Sequence, residues 1–514
     1  MLDDDSVTDG SGMMSIDHLN RSTGLPPTAS GQSISNLMHM IWRMRPDLQE
    51  KFDLENARDR ERFIRWYEWA APREFRIPAV IPKKDKVAMV PTDFLYKMKS
   101  IAERASRFGQ WLPLSARRRM LRLWTRLAIA LSVVRIGRRK AMERETPQPG
   151  VNLIGYANGV LSLGEHLRNT ASAFLSIGVA TDMVDYRNGA RDRQLAGAGR
   201  VSLASRNRFS VNLFHINADQ MLNAYCHFGH NFFEGRYNIG FWAWELETFP
   251  DGWAPVVELL DEIWAPSRFV QQSIARITNK PVTLMPQCVE LPPFEKVARA
   301  RFGLPDDRYL FIYLFDFLSY IDRKNPIASI RAFRRAFSSG NEKVGLVLKV
   351  MNADQRDPRW QALWEEIEGD SRVFIINETM SRAESFALLE SCDCFLSLHR
   401  SEGFGRGPAE AMLLGKPVIA TAYSGNMDFT LPDNSFLVDY TLIPVERGQY
   451  VFGEGQVWAE PNIDHAAYHM RTVFGHVEHA GEVARRGQDY IRTHLSAART
   501  GVLMADRLTD LELL

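Results

Sequence analysis

Cysteine is nearly absent from this chain: four in 514 residues, Cys226, Cys288, Cys392 and Cys394, too few for a disulfide scaffold in a protein this long. Cys392 and Cys394 flank Asp393 in a strand-like run, where they pack rather than chelate, because a tetrahedral zinc site needs more ligands than that pair offers. An excess of charge of one sign is missing too. Lys and Arg number 63 against 62 Asp and Glu, a net charge of +1, so no global basic field marks nucleic acid as a partner. Long apolar runs are also lacking. LAIALSVV, at 127–134, is the longest uncharged one beside a basic flank, far short of the roughly 20 residues a spanning helix needs. The opening MLDDDSVTDG is acidic and polar, the reverse of a secretory signal, so a cytoplasmic location is expected. No repeat of fixed period is visible. No Asp-x-Asp pair ends a strand, the one such spacing being Asp3 with Asp5 in the polar opening, so no bound metal is implied.

What is present is enough apolar residue, 45%, to bury two or three cores. Residues 1–34, rich in Ser, Thr, Gly and Asp, read as a disordered tail. Residues 35–146 read as a helical accessory domain, with helical apolar spacing in NLMHMIWRMRPDLQEKF and ARDRERFIRWYEWAA and a proline-marked break at IPAVIPKK. Its last helix, within 115–140, carries Arg117, Arg118, Arg119, Arg122 and Arg126 before the apolar octet, then Arg135, Arg138, Arg139 and Lys140. Such a helix either lies on an anionic bilayer, here the inner face of the cytoplasmic membrane, or docks on its neighbours with a solvated basic face.

From 147 the pattern changes to strands alternating with helical spacers. VNLIGY, ATDMVDY, SVNLFHI, YNIGFWAWE and DEIWAPS predict one doubly wound parallel domain over 147–295. VTLMPQCVELPP reads as a hinge. YLFIYLF, VGLVLKV, RVFIINE, DCFLSLH and KPVIATA predict a second such domain over 296–490. The remainder, 491–514, is helical.

The most informative segment is SEGFGRGPAEAM, 401–412, with Glu402 and Glu410 separated by seven residues that include three glycines and a proline. DCFLSLH before it is strand-like and PAEAMLLG after it is helix-forming, so the glycines fall on a strand-to-helix turn. Such a turn offers backbone N–H groups at the positive end of a helix dipole, where a diphosphate binds. The strand Pro417–Thr421 then ends in a second small-residue loop at Ser424 and Gly425. Two adjacent strand ends open toward one crevice, as ligand sites in such sheets do.

On these residues, 150 to about 500 resembles the retaining nucleotide-sugar glycosyltransferases of family 4, and is similar to bacterial polysaccharide-assembly transferases through SLHRSEGFG (397–405), IGYANGVLSLGEHLR and ELLDEIWAPSRFV. The resemblance implies the GT-B fold: two Rossmann-like domains facing a cleft, an N-terminal one for the acceptor and a C-terminal one for the donor, with the last helix crossing back. It implies that Glu402 contacts the transferred sugar and Glu410 the nucleotide ribose, with Gly403, Phe404, Gly405 and Arg406 forming the donor loop. Gly159 and Gly164, in the first strand-to-helix loop, are then candidates to lie against the donor phosphates, the alternative being a plain tight turn. No cofactor is implied beyond the nucleotide-diphosphate sugar itself. The partners implied are that donor and a glycan or lipid-linked acceptor.

Stabilising the departing diphosphate calls for fixed cations and N–H donors. Arg323 and Lys324, in FDFLSYIDRKNP, are the phosphate-binding candidates, against the alternative of a surface dipeptide at a helix start. Here the chain departs from the family, which commonly has an Arg about six residues before the Lys, where this sequence has Leu318 or Ser319. His215, with Asp219 and Glu245, ends a front-domain strand and is the base candidate by intrinsic pKa, or else a satisfied structural residue. His399 and Arg400 could contact sugar or acceptor, and Asn377 and Glu378 lie where the base edge would be read. Phe241, Trp242, Trp244 and Trp253 are either core or a sugar-stacking platform. Two other functions stay open: a nucleotide-sugar epimerase of the same fold, and a non-catalytic scaffold binding through 35–144.

Overall fold

The structure, a computed structural model, describes residues 22–28, 31–70, 147–159, 162–186, 203–204, 206–317, 319–353 and 355–514. Three helices come first, α1 (Asn36–Met44), α2 (Pro46–Lys51) and α3 (Ala57–Trp69). Ser35 caps α1 by accepting from Met38 N, and Asn56 caps α3 by accepting from Arg58 N. The expected disordered tail gives way well before residue 34: Thr23 N donates to Ile34 O at 3.0 Å, Ser22 bridges Ser35, and Ile34 is buried in the same core as α1. The apolar Ile34 side chain gains more from that core than the polar composition around it suggests. The basic segment 115–140, and with it the membrane expectation, lies outside the described residues. Among the described residues no helix is long and apolar enough to cross a membrane.

The front lobe runs β1 (Gln148–Gly155), α4 (Ser162–Ser176), β2 (Thr181–Asp185), β3 (Phe209–His215), α5 (Ala218–Phe228), α6 (His230–Phe233), β4 (Tyr237–Phe241), β5 (Glu262–Ala265), α7 (Arg268–Ala275) and β6 (Val282–Leu284). Its six strands are ordered β2-β1-β3-β4-β5-β6 and pair in parallel throughout. A buried rung of Asn152, Asn212 and Asn238 crosses three of them, Asn152 Nδ2 donating to Asn212 Oδ1 (3.1 Å) and Asn212 Nδ2 to Asn238 Oδ1 (2.9 Å). One satisfied polar rung in an apolar sheet holds the register, since a slip would leave buried amides unpaired.

The rear lobe contains β7 (Tyr309–Asp316), α8 (Ile321–Lys324), α9 (Pro326–Ala336), β8 (Val344–Met351), α10 (Pro358–Ile367), β9 (Val373–Ile376), α11 (Arg382–Ser391), β10 (Cys394–Ser397), α12 (Arg406–Leu413), β11 (Val418–Thr421) and β12 (Phe436–Val438). Its order is β12-β11-β10-β7-β8-β9, again parallel. Both sheets are covered on both faces, which is why their strands read as continuous Val, Ile, Leu and Phe runs rather than alternating ones. Then come a hairpin, β13 (Tyr440–Pro444) with β14 (Val457–Pro461), and α13 (Ile463–Gly475), α14 (Val477–His494) and α15 (Ala497–Asp510).

Two segments tie the lobes together. The hairpin leaves the rear lobe, and its Val445, Tyr450 and Trp458 join the front-lobe core that also holds α1. Helix α15 packs on α4 so closely that a Cβ on Gly501 would lie 2.4 Å from Ala173 O, and Met504 and Leu508 enter the other front-lobe core. The two chain crossings touch, Val289 N donating to Leu495 O at 2.9 Å.

Candidate active site

Strand order decides where the chemistry collects. In the rear sheet the order reverses between β10 and β7, so the loops after those two strands diverge and leave a crevice at the carboxyl edge. The loop after β10 carries Glu402, and the turn after β7 carries Arg323 and Lys324. Lys324 Nζ donates to Glu402 Oε1, and Arg323 Nη1 lies 3.1 Å from Glu402 Oε2. Arg323 also donates to Ser401 O (2.8 Å) and Ser319 O (3.1 Å), which fixes the guanidinium between the loop after β10 and the turn after β7. Burial pushes the Glu402 carboxyl up, but Lys324 and Arg323 outweigh it and hold it at about 2. The same carboxylate, with Glu245, keeps Arg323 charged against its burial, whereas burial prevails at Lys324 and leaves its ammonium below the ordinary value.

The loop after β10 is built on absent side chains. Gly405 sits at the start of α12 with φ +95° and only Asn426 Cβ, at 3.0 Å, in the way. Gly403 faces Trp244 O of the front lobe at 3.0 Å, and its own carbonyl accepts from Ser267 Oγ at 2.6 Å. Phe404 is buried against Phe429. His399, fully buried, is locked between Ser397 Oγ and Asn426 Oδ1, each at 3.0 Å, and burial lowers its pKa. It braces the loop after β11 against the loop after β10. The tightest approach is at Gly425, where a Cβ would lie 2.2 Å from Gly403 O and 2.8 Å from Glu402 O. Both are backbone atoms that cannot swing aside, so Gly425→Ala should displace the Glu402 loop. The expected outcome is loss of activity together with a stability cost of about 1–3 kcal/mol, read from turnover and a denaturant midpoint on the same sample.

Glu410, one turn along α12, is held by Arg382 Nη2 at 2.6 Å, with Arg406 Nη1 at 3.6 Å. Arg382 also reaches Glu165 of α4 in the front lobe at 3.4 Å, and Arg406 donates to Gln287 at 2.8 Å. Burial raises the Glu165 carboxyl, but Arg382, Arg406 and Arg168 hold it below its ordinary range. The front-lobe loop sits beside this cluster: Arg168 Nη1 donates to Ala157 O and Gly159 O, and Gly164 permits Gly159 O and Tyr156 O to approach within 2.6 Å of a Cβ position. Gly159, Gly164, Arg406 and Glu410 are thus brought to one inter-lobe seam.

His215 is not at that surface. It is fully buried, its ring 4.5 Å from that of His166 and 5.4 Å from that of Phe241, and burial lowers its pKa to about 3. Its neutral imidazole has no exposed edge, and neither ring nitrogen has a hydrogen-bond partner among the described residues; the carboxylate at the neighbouring strand end, Glu245, is half-buried. Asn377 and Glu378 are exposed after β9. Trp242, Trp244 and Trp253 are buried with Phe249, which is core packing rather than a platform. Sequence reasoning missed Glu165, Arg382, Gln287 and the hairpin residues Tyr450 and Glu460, the last pairing with Arg400 at 2.6 Å. Glu165 lay inside the GEHLR string; nothing local marks the others, because their partners lie 28 to 205 residues away.

Comparison with known proteins agrees with this geometry. Residues 295–440, most of the rear lobe, match the family model described as "Glycosyl transferases group 1". HepE of Anabaena, solved in complex with UDP and glucose, superposes with a TM-score of 0.52 at 14% identity, covering 71% of this chain and 100% of that one. Sucrose-phosphate synthase of Thermosynechococcus elongatus gives a TM-score of 0.52 at 16% identity, covering 71% and 99%. Likenesses of this kind establish the fold, GT-B. Among curated proteins no sequence matches significantly.

Proposed function

We propose that this protein is a retaining glycosyltransferase that moves a hexose-type sugar from a nucleotide-diphosphate donor to a growing, lipid-linked glycan in polysaccharide assembly. The observation that carries the proposal is Glu402, half-buried between Arg323 and Lys324 at the reversal point of the rear sheet. The rear-lobe family match and the GT-B fold support glycosyl transfer, and a neighbour solved with UDP and glucose supports a nucleotide-linked hexose.

In this reading the sugar's C1–O bond to the diphosphate breaks with its electron pair going to the phosphate oxygen. Arg323, Lys324 and the first-turn N–H groups of α12, which have no intrahelical partner, receive that charge. Glu402 faces the positive charge developing on the sugar ring. The acceptor oxygen bonds to C1 from the face the phosphate leaves, and its proton passes to the departing phosphate, so no side-chain base is used. Fixed cations and amides occupy the place a metal would take, and a bound divalent ion is not required. Glu410 contacts the ribose once donor displaces part of its arginine pairing.

The test begins with a thermal-shift panel of nucleoside diphosphates and their sugars, where a ligand at 100 times its Kd adds about 2.7 kcal/mol. Lys324→Ala should weaken nucleoside diphosphate binding about 10- to 100-fold, the worth of one charge-assisted hydrogen bond. Undiminished affinity in that variant would remove Lys324 from the phosphate site. Formation of a glycosylated acceptor, rather than an isomerised donor in its absence, separates transfer from epimerisation.

A further inference from the structure

Opposite the donor loop, on the far side of Arg323, a second group of side chains has no part in the donor site. Glu245, just past β4 in the front lobe, lies 3.8 Å from Arg323 Nη2 and accepts from the Tyr450 hydroxyl of the hairpin. The buried guanidinium is therefore shared by two carboxylates, Glu402 of the rear lobe and Glu245 of the front lobe, and its Nε, buried, has no partner. Above Glu245 the rings of Tyr320 and Tyr450 lie 4.5 Å apart. Tyr450 is buried, while Tyr320 is 37% exposed. Tyr320 holds a left-handed backbone, φ +59°, which a bulky side chain seldom adopts; the turn that positions Arg323 fixes this ring at the mouth of the cleft. Asn217 accepts from Ala243 N at 3.2 Å, tying the segments after β3 and β4 together beside Glu245. Burial raises the Tyr320 phenol, and the charges of Glu245 and Asp219 raise it further.

We propose that Tyr320, backed by Tyr450, and the carboxylate of Glu245 form the acceptor subsite, and that its ligand is a pyranose with free hydroxyls rather than a bare lipid or a polypeptide. An exposed aromatic face stacks on the C–H side of a sugar ring, while carboxylates accept from hydroxyl pairs in charge-assisted bonds. The common Arg323 places a hydroxyl held by Glu245 next to the carbon that Glu402 faces. This inference rests on the transferase reading above.

Saturation-transfer NMR on the full chain tests it, with UDP present and the methyl α-glycosides of glucose, galactose and mannose as probes. At least one should bind the wild type. Binding should weaken about tenfold or more in Tyr320→Gly, which removes the ring while fitting the left-handed backbone, and in Glu245→Gln, while UDP affinity in Tyr320→Gly stays within about twofold. If UDP binds but no methyl glycoside does, or if both variants bind the sugar as the wild type does, the subsite is wrong and the donor reading stands. If no nucleoside diphosphate of the panel binds the wild type, the donor reading falls and the subsite falls with it.

Discussion

Glu402→Gln should reduce transfer about 10²- to 10³-fold or more, the effect of removing one preorganised electrostatic group from the transition state, while leaving nucleoside diphosphate affinity unchanged or a few-fold tighter. The second half is the diagnostic part. Glu402 is the counter-charge of both Arg323 and Lys324, so neutralising it frees two cations for the diphosphate; a variant that had merely lost its fold would bind nucleotide less well. Calorimetry and single-turnover kinetics on the same preparation separate the two. A fully active variant would dissolve the assignment. The pH dependence follows from the same contacts. Glu402 is held at about 2, below its ordinary 4.5, so its pairing contributes to stability in full above the unfolded value and is lost as pH falls from about 4.5 toward 2. The transfer rate should accordingly show no acid limb from Glu402 between about pH 5 and 8, the window in which stability tends to be maximal.

The largest expected stability effect lies far from the donor. Glu262, fully buried in β5, accepts from Arg507 Nε and Nη2 of α15, both at 3.0 Å, and from Trp264 Nε1 and Tyr237 OH, both at 3.1 Å. Removing Arg507 leaves a buried carboxylate without its cation, a situation that costs about 3–5 kcal/mol. Arg507→Ala should therefore lower the melting temperature by roughly 5–15 °C for a lobe of this size and make α15 the first segment released by limited proteolysis. The double variant Glu262→Gln with Arg507→Met should recover much of the loss, because the uncompensated charge is gone. Recovery would assign the cost to charge rather than to helix packing, and equal melting of wild type and Arg507→Ala would show that the pair adds nothing.

How far the sequence could be read depended on sequence distance. The apolar runs of β1, β3, β7 and β8, buried on both faces, announce themselves as parallel strands, and the glycines between Glu402 and Glu410 announce a turn between strand and helix. His215 was legible as a strand-end residue, but whether its ring faces the cleft or the core depends on α4, which brings His166 against it. The aromatic run Phe241 to Trp253 could not be assigned to core or platform until Phe249 and the hairpin closed over it. Tyr320 drew no notice, since nothing in FDFLSYIDRKNP marks a left-handed tyrosine; the hairpin ring it meets lies 130 positions away.

The residues alone set the local alphabet of this protein: two series of buried parallel strands, a glycine turn between strand and helix, and two acids with seven residues between them. Those are properties of short segments, set by side-chain volume, backbone freedom and helix polarity. Only the tertiary structure decided which charges meet. The order of strands put Arg323 and Lys324 against Glu402, lobe closure put Glu165 against Arg382, and the hairpin set Tyr450 on Glu245. Such pairings join positions that chain connectivity leaves free of one another, and only the packing of the lobes brings them within a few ångströms.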